Sequence, residues 1–213
     1  RFVYDTGDSM GMNGVTIGTD SALKLIEDKF PDVTSVSLSG NLCTDKKSSA
    51  INLIEGRGKS ITAEVVIPHE VIQKKLKTNS NTLIDVNYRK NLLGSAQAGS
   101  YGFNAHFANI IAAIFLATGQ DIAQVVEGSQ GFTTIEEDKN GVYFAVTIPS
   151  LEVATVGGGT KIETQKEALS ILGISGGGKN SGDNSKALSE ICAATVLAGE
   201  ISLIGALSAR HLA

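Results

Sequence analysis

Lys186-Ala-Leu-Ser-Glu-Ile-Cys-Ala-Ala-Thr-Val-Leu-Ala-Gly-Glu-Ile-Ser-Leu-Ile-Gly-Ala-Leu-Ser-Ala-Arg-His-Leu212 is a long apolar run whose reading decides the fold class. Its most apolar part, 191–207, carries Glu200. A membrane span needs roughly 20 apolar residues with few charges. A second apolar stretch, 103–117, is interrupted by Asn104, His106 and Asn109. Both read as buried helices of a globular protein, with no membrane span in this segment.

Working outward from that helix, a Gly/Asn/Ser-rich loop covers 173–185 and a short helix 165–172. Strands over 132–137 and 141–148 can pair through the turn-prone Asp138-Lys-Asn-Gly141. Helices are expected over 104–118, over 82–93, and over 71–76 with Pro68 at a first helical position. Residues 58–67 read as a strand, and the polar stretch 40–49 as a loop. Nearer the start, 33–39 alternates apolar with small polar residues and predicts a strand. Thr19 or Asp20 can cap a helix through Phe30, stopped by Pro31. Arg1-Phe-Val-Tyr4 reads as a strand leading into a Gly-rich loop, Gly7 to Gly14. A soft boundary near residue 37 divides an α/β piece from a helix-rich one. The 213 residues allow one large domain, or one domain and part of another.

A net charge of −4 with no long basic block argues against a nucleic-acid surface. Small anionic substrates stay possible, because a local lysine pair can hold a carboxylate. Two distant cysteines, Cys43 and Cys192, form no zinc cluster and no disulfide framework, so a reducing, cytoplasmic setting is expected. Opening on Arg1, without an initiator Met or signal peptide, reads as a trimmed, processed or partly ordered chain.

Single motifs carry little. Gly173-Ile-Ser-Gly-Gly-Gly-Lys179 fits most of a phosphate-binding loop, but Asn180 stands where a hydroxyl is needed and 167–172 reads as helix where a strand is needed. A nucleoside triphosphatase is rejected. No GxGxxG follows a predicted strand. The loops Gly7 to Gly14 and Gly157 to Gly159 could bring backbone amides to a phosphate or be plain turns. Thr44-Asp-Lys-Lys47 is either solvated surface or a site where a lysine, oriented by an Asp, faces a substrate oxyanion. Asp121 is placed to cap a helix. His69 and His211 read as helix-surface residues and His106 as structural, so no metal site is implied.

Taken in order, the words resemble one family. Asp8-Ser-Met-Gly-Met-Asn13 is similar to the DAMGMN signature of the 3-hydroxy-3-methylglutaryl-CoA reductases, with Ser9 for the usual Ala. Gly40-Asn-Leu-Cys-Thr-Asp-Lys-Lys47 running into Glu55-Gly-Arg-Gly-Lys59 resembles its cis-loop and the strand after it. Lys90-Asn-Leu-Leu-Gly-Ser-Ala-Gln-Ala-Gly-Ser100, Asn104-Ala-His106, Gly119-Gln-Asp121, Thr155-Val-Gly-Gly-Gly-Thr160 and Ala198-Gly-Glu200 follow in the family's sequence. The resemblance covers essentially the whole chain and favours class I.

The resemblance implies an α+β fold: a helix-rich large domain around a long central helix, and part of a small ferredoxin-like α/β cofactor domain. Residues 1–37 would be the second half of the small, NADP-binding domain, 38–49 the cis-loop, and 50–213 the large domain. It also implies two-step reduction of the acyl-CoA to mevalonate and free coenzyme A with two NADPH. By their match, Lys46 is the oxyanion donor and Asp121 a buried carboxylate that holds it. Ser39, Asp45, Lys47, Lys90, Asn109 and Leu203 match substrate-binding residues. Asp8, Met10, Gly11, Met12, Asn13, Val156, Gly157 and Gly158 match cofactor-binding ones. A homodimer or dimer of dimers is implied, with 104–118 and 55–60 near the interface. A catalytic Glu upstream of Arg1 and a His beyond His211 would lie outside this chain, His211 itself matching a noncatalytic position. A catalytically incomplete homologue that only binds a CoA thioester, or only assembles, is the rival reading.

Overall fold

The computed structural model describes residues 1–211. Its helices, in chain order, are α1 (Met12–Lys29), α2 (Ala50–Ile54), α3 (His69–Val71), α4 (Ser80–Val86), α5 (Ser95–Gln97), α6 (Phe107–Thr118), α7 (Val125–Gly128), α8 (Glu163–Ile171) and α9 (Asp183–Ser208). The π-helical stretch Asn87–Gly94 joins α4 to α5, and a second, Ile72–Leu76, follows α3. Strands β1 (Lys59–Pro68), β2 (Gly102–Phe103), β3 (Gly131–Asp138) and β4 (Gly141–Leu151) form one sheet of order β1-β4-β3-β2. β4 pairs antiparallel with both β1 and β3, while β2 lies parallel to β3. The fold is therefore α+β, as expected.

The two-residue period of the strands sorts the sheet into two faces. Val142, Phe144, Val146 and Ile148 of β4 are all fully buried, opposite Ile67, Val65, Ala63 and Ile61 of β1. α9 covers this face with Leu188, Cys192, Val196 and Ile204, all fully buried. The other face carries polar pairs such as Thr62 with Thr147 and Glu64 with Tyr143. Among the described residues α9 is long and apolar enough to cross a membrane, but it is a core helix here. The acid within its apolar part, Glu200, is fully paired. Buried Glu200 accepts the N–H groups of Ala105 at 2.9 Å and His106 at 2.8 Å, and the Thr133 hydroxyl at 2.6 Å. It thereby caps the start of α6, where a carboxylate complements the helix dipole.

Several local expectations need correction. Arg1 to Tyr4 and 33–39 form no strand, and both stretches are exposed. A strand needs a partner for its N–H and C=O groups, and no described element offers one there. α1 begins at Met12 after left-handed Gly11, not at Thr19 or Asp20, so Asn13 and Gly14 belong to it. Pro68 ends β1 and is at once the N-cap of α3, one residue before the first helical position expected for it. α6 starts at Phe107, three residues late, behind the Glu200 cap. The expected end of the last helix at Leu212 lies outside the described residues; α9 stops at Ser208.

Candidate active site

The loop 40–49 bends through left-handed conformations at Asn41, Thr44 and Lys46 (φ 60°, 54° and 57°). Such values are uncommon without glycine and persist only where the surroundings enforce them. Here the Thr44 hydroxyl binds Asn52 Oδ1 at 2.5 Å, Asn52 Nδ2 donates to Lys47 O at 3.0 Å, and the Lys46 N–H donates to Glu127. The result points the Lys46 ammonium at Asp121, 2.8 Å away.

Asp121 follows α6, which ends at left-handed Gly119. A Cβ on Gly119 would lie 2.4 Å from the Gly159 carbonyl oxygen, so only glycine lets these two loops touch. Asp121 also caps the 3₁₀ turn Ile122–Gln124 by accepting the Ala123 N–H at 3.1 Å. Its hydrogen bond from Lys46 holds the carboxyl below the usual range, and the same bond holds the lysine above its own. Both side chains are over a third exposed, 42% and 34%, so the expected burial of Asp121 gives way to a carboxylate facing open space.

That space is a cleft of about 590 Å³. Met10, Gly11, Met12 and Asn13 line one wall, Val156, Gly157 and Gly158 another, and Asp45, Lys46 and Asp121 the floor. The walls are joined by a parallel bridge between Ser9 and Val156, and by the N–H groups of Thr155 and Val156 on Asp8 O. Gly157 and Gly158 have positive φ; a Cβ on Gly158 would stand in open space and one on Gly157 would make only an ordinary contact with Ser9 Oγ at 4.0 Å, leaving their backbone accessible from the cleft.

Asp8 does not line this cleft. Its buried carboxylate accepts the N–H groups of Gly178 at 3.0 Å, Gly182 at 3.1 Å and Ser185 at 2.9 Å. Burial pulls its pKa upward, but these amides outweigh burial and hold it below the usual range. The 173–185 loop is thus folded around a carboxylate at the start of α9, and helix α8 precedes it, as the rejection of a phosphate-binding loop requires.

Other candidate residues stand elsewhere. Ser39 is exposed, its Oγ 3.2 Å from Cys43 Sγ, and Lys47 is exposed with Nζ on Asp45 O at 3.3 Å. Lys90 and Asn109 are exposed on Asn87–Gly94 and α6, and Leu203 is half-buried on α9. None of these five lines the cleft.

Sequence reasoning assigned no site role to Arg57, Glu127 and Glu152. Arg57 Nη1 reaches Asp45 at 3.0 Å, Glu127 at 3.1 Å and Glu152 in direct contact. Gln124 Nε2 adds a bond to the same Asp45 oxygen at 3.0 Å. Burial pushes the Glu127 carboxyl up, and pushes Glu152 up to about 8 against the opposing pull of Arg57. Burial thus works against ionising Glu127 and Glu152 together beside a single cation. The visible signal was Gly56-Arg-Gly58, two glycines bracketing a cation.

The family described as hydroxymethylglutaryl-coenzyme A reductase matches residues 1–213. The chain is similar to the 3-hydroxy-3-methylglutaryl-coenzyme A reductase of Pyrococcus abyssi, with 58% identity over 100% of this chain and 52% of that protein. With the protein of the same name from Methanothermobacter thermautotrophicus the identity is 59%, again over 100% and 52%. With the Aspergillus fumigatus 3-hydroxy-3-methylglutaryl-coenzyme A reductase 1 it is 51%, over 100% of this chain and 19% of that one. The chain spans about half the length of the archaeal relatives it matches.

Proposed function

The chain belongs to the hydroxymethylglutaryl-coenzyme A reductase family, and from that premise we propose that it carries out the reduction of 3-hydroxy-3-methylglutaryl-CoA to mevalonate and coenzyme A with two NADPH, as a class I member. The observation that supports this best is the Lys46–Asp121 pair standing in one cleft with Met10 to Asn13 and Val156 to Gly158.

The residues present fit a nicotinamide dinucleotide. Gly157 and Gly158, with no side chain of their own and little or nothing at their Cβ positions, let backbone approach a ligand in the cleft. When bound, the cofactor supplies the hydride. This chain's share is electrostatic: reduction of a thioester carbonyl builds negative charge on oxygen, and the Lys46 ammonium donates to it. Asp121 keeps the lysine protonated and aimed. The same donor serves the aldehyde formed after coenzyme A leaves. Asp8 acts on the cofactor wall through the loop it anchors.

In this reading, 1–37 is part of the cofactor domain, 38–49 the substrate loop, and 50–213 the acyl-CoA-binding and dimerisation domain. Ser39, Asp45, Lys47, Lys90, Asn109 and Leu203 hold the hydroxymethylglutaryl and coenzyme A parts, Lys47 and Lys90 being the carboxylate-binding cations. The separation of all but Asp45 from the cleft supports a site shared between subunits of a homodimer, with α6 and 55–60 near its interface.

The deciding experiment is oxidation of NADPH, followed by absorbance, upon adding the acyl-CoA to the purified full-length protein. Mevalonate with two NADPH consumed per molecule is expected. Acyl-CoA binding without turnover would support the rival reading, a binding or assembly module; a preference for NADH would remove it from class I. Sedimentation showing a fully active monomer would remove the shared site.

A further inference from the structure

Behind the Lys46–Asp121 pair lies the Arg57 cluster, and its construction begins at the backbone. Gly56 and Gly58 take φ of 72° and 74°, and a Cβ on either would lie 2.7 Å from Pro149 O or 2.6 Å from Leu151 O. The turn is therefore pressed against the end of β4, and the guanidinium points inward, 18% exposed. From there it reaches one wall of the cleft and its floor. Nη2 lies 3.4 Å from Met12 Sδ, at the start of α1. Nη1 holds Asp45 directly, and holds Glu127, whose Oε1 in turn accepts the Lys46 N–H.

Stability alone does not account for this arrangement. Taking several charges out of water costs several kcal/mol per ion, and pairing them recovers it only with full hydrogen bonding. Here Glu127 Oε2 and Glu152 Oε2 are buried without a protein partner. What the cluster does accomplish is local: it pins a non-glycine residue, Lys46, at φ 57°. Without an acceptor for its N–H, that conformation loses its main support.

We propose that Arg57 and Glu127 are positioning residues: their ion pair fixes the left-handed backbone of Lys46, so that its ammonium is held on Asp121, and ties the lysine loop to the Met12 end of the cofactor wall. The proposal deepens the reading of Lys46 as oxyanion donor and rests on it for its catalytic consequence. Its geometric part is independent of that reading.

The test uses the full-length protein with Glu127→Met, which removes the acceptor at similar volume, Glu127→Gln, which retains an acceptor, and Arg57→Lys, which keeps charge but loses the planar fork. Asp121→Asn is the reference for a released lysine. Lys46 acylation by an amine-reactive reagent is followed by peptide mass spectrometry, beside kcat, KM and the melting transition. Lys46 labelling is expected to rise several-fold in Glu127→Met and Arg57→Lys, toward the Asp121→Asn rate, with Glu127→Gln recovering part of the loss. In step with labelling, kcat should fall by up to about 10²-fold with KM little changed. Folded Glu127→Met with wild-type labelling and wild-type kcat overturns the proposal. So does a lower melting temperature with unchanged labelling, which is what a purely structural cluster predicts. If Glu127→Met does not fold, Arg57→Lys and Glu127→Gln decide by the same labelling comparison. A wild-type protein that fails to reduce the thioester sinks the proposed function alone, since labelling still reads the position of Lys46.

Discussion

Lys46 and Asp121 meet at 2.8 Å, yet one sits in a loop of left-handed residues and the other caps a 3₁₀ turn beyond α6. Each shifts the other toward its charged form. In Asp121→Asn the lysine loses that support and its pKa falls. The alkaline limb of the pH–rate profile should therefore move to lower pH, with kcat reduced. Because both side chains are over a third exposed, the change in stability should stay within about 1 kcal/mol. A pH profile identical to wild type would show that Asp121 does not govern the lysine.

Lys46→Ala should abolish reduction of both the thioester and added mevaldehyde, since one donor serves both steps. Loss of such a donor costs about 10²–10³ in rate. Near-normal mevaldehyde reduction by the variant would assign the oxyanion to another group.

Asp8→Ala strips three backbone N–H groups of their acceptor at the start of α9. Buried donors left unpaired cost about 1–3 kcal/mol, read as a lower melting temperature. The sign with pH follows from its depressed pKa. The contribution is fully present above the unfolded value of 3.8 and is lost as pH falls through the lower folded value, so the variant and wild type should converge in acid. NADPH binding should weaken more than acyl-CoA binding, because the lost side-chain bonds hold in place the Asp8 backbone whose carbonyl anchors the Thr155–Val156 wall. Titration calorimetry with both ligands distinguishes this from equal losses, which would assign Asp8 to the fold alone.

Glu152 has the opposite sign. Its folded pKa is about 8 against 4.5 unfolded, so between these values the native state keeps a proton that the unfolded chain has released. Stability should fall as pH rises from about 4.5 toward about 8 and level off beyond. Glu152→Gln, permanently neutral, should show a shallower decline over that window in melts taken at a series of pH values. An unchanged slope would mean that the cluster keeps its proton elsewhere.

Local pattern carried much of the fold. The strands expected over 132–137 and 141–148 with their turn became β3 and β4, and the two apolar runs gave α6 (Phe107–Thr118) and α9 (Asp183–Ser208), because turn residues and apolar pattern are set within the segment itself. The same local reasoning failed at Arg1 to Tyr4 and 33–39, where strand-like alternation finds no hydrogen-bonding partner. It also placed the α6 start too early, since the acid that caps that helix comes from α9.

By itself, then, the sequence determined the period and burial of the main helices and strands, and the order of words that marks the family. Only the tertiary structure decided that Lys46 meets Asp121, that Asp8 holds the start of α9 while Met10 to Asn13 face the cleft, and that Arg57 gathers Asp45, Glu127 and Glu152. The reason is physical. Periodicity is written in neighbouring residues, whereas an ion pair depends on where distant segments come to rest, and that is fixed by close contacts such as Gly119 on Gly159 and Gly58 on Leu151.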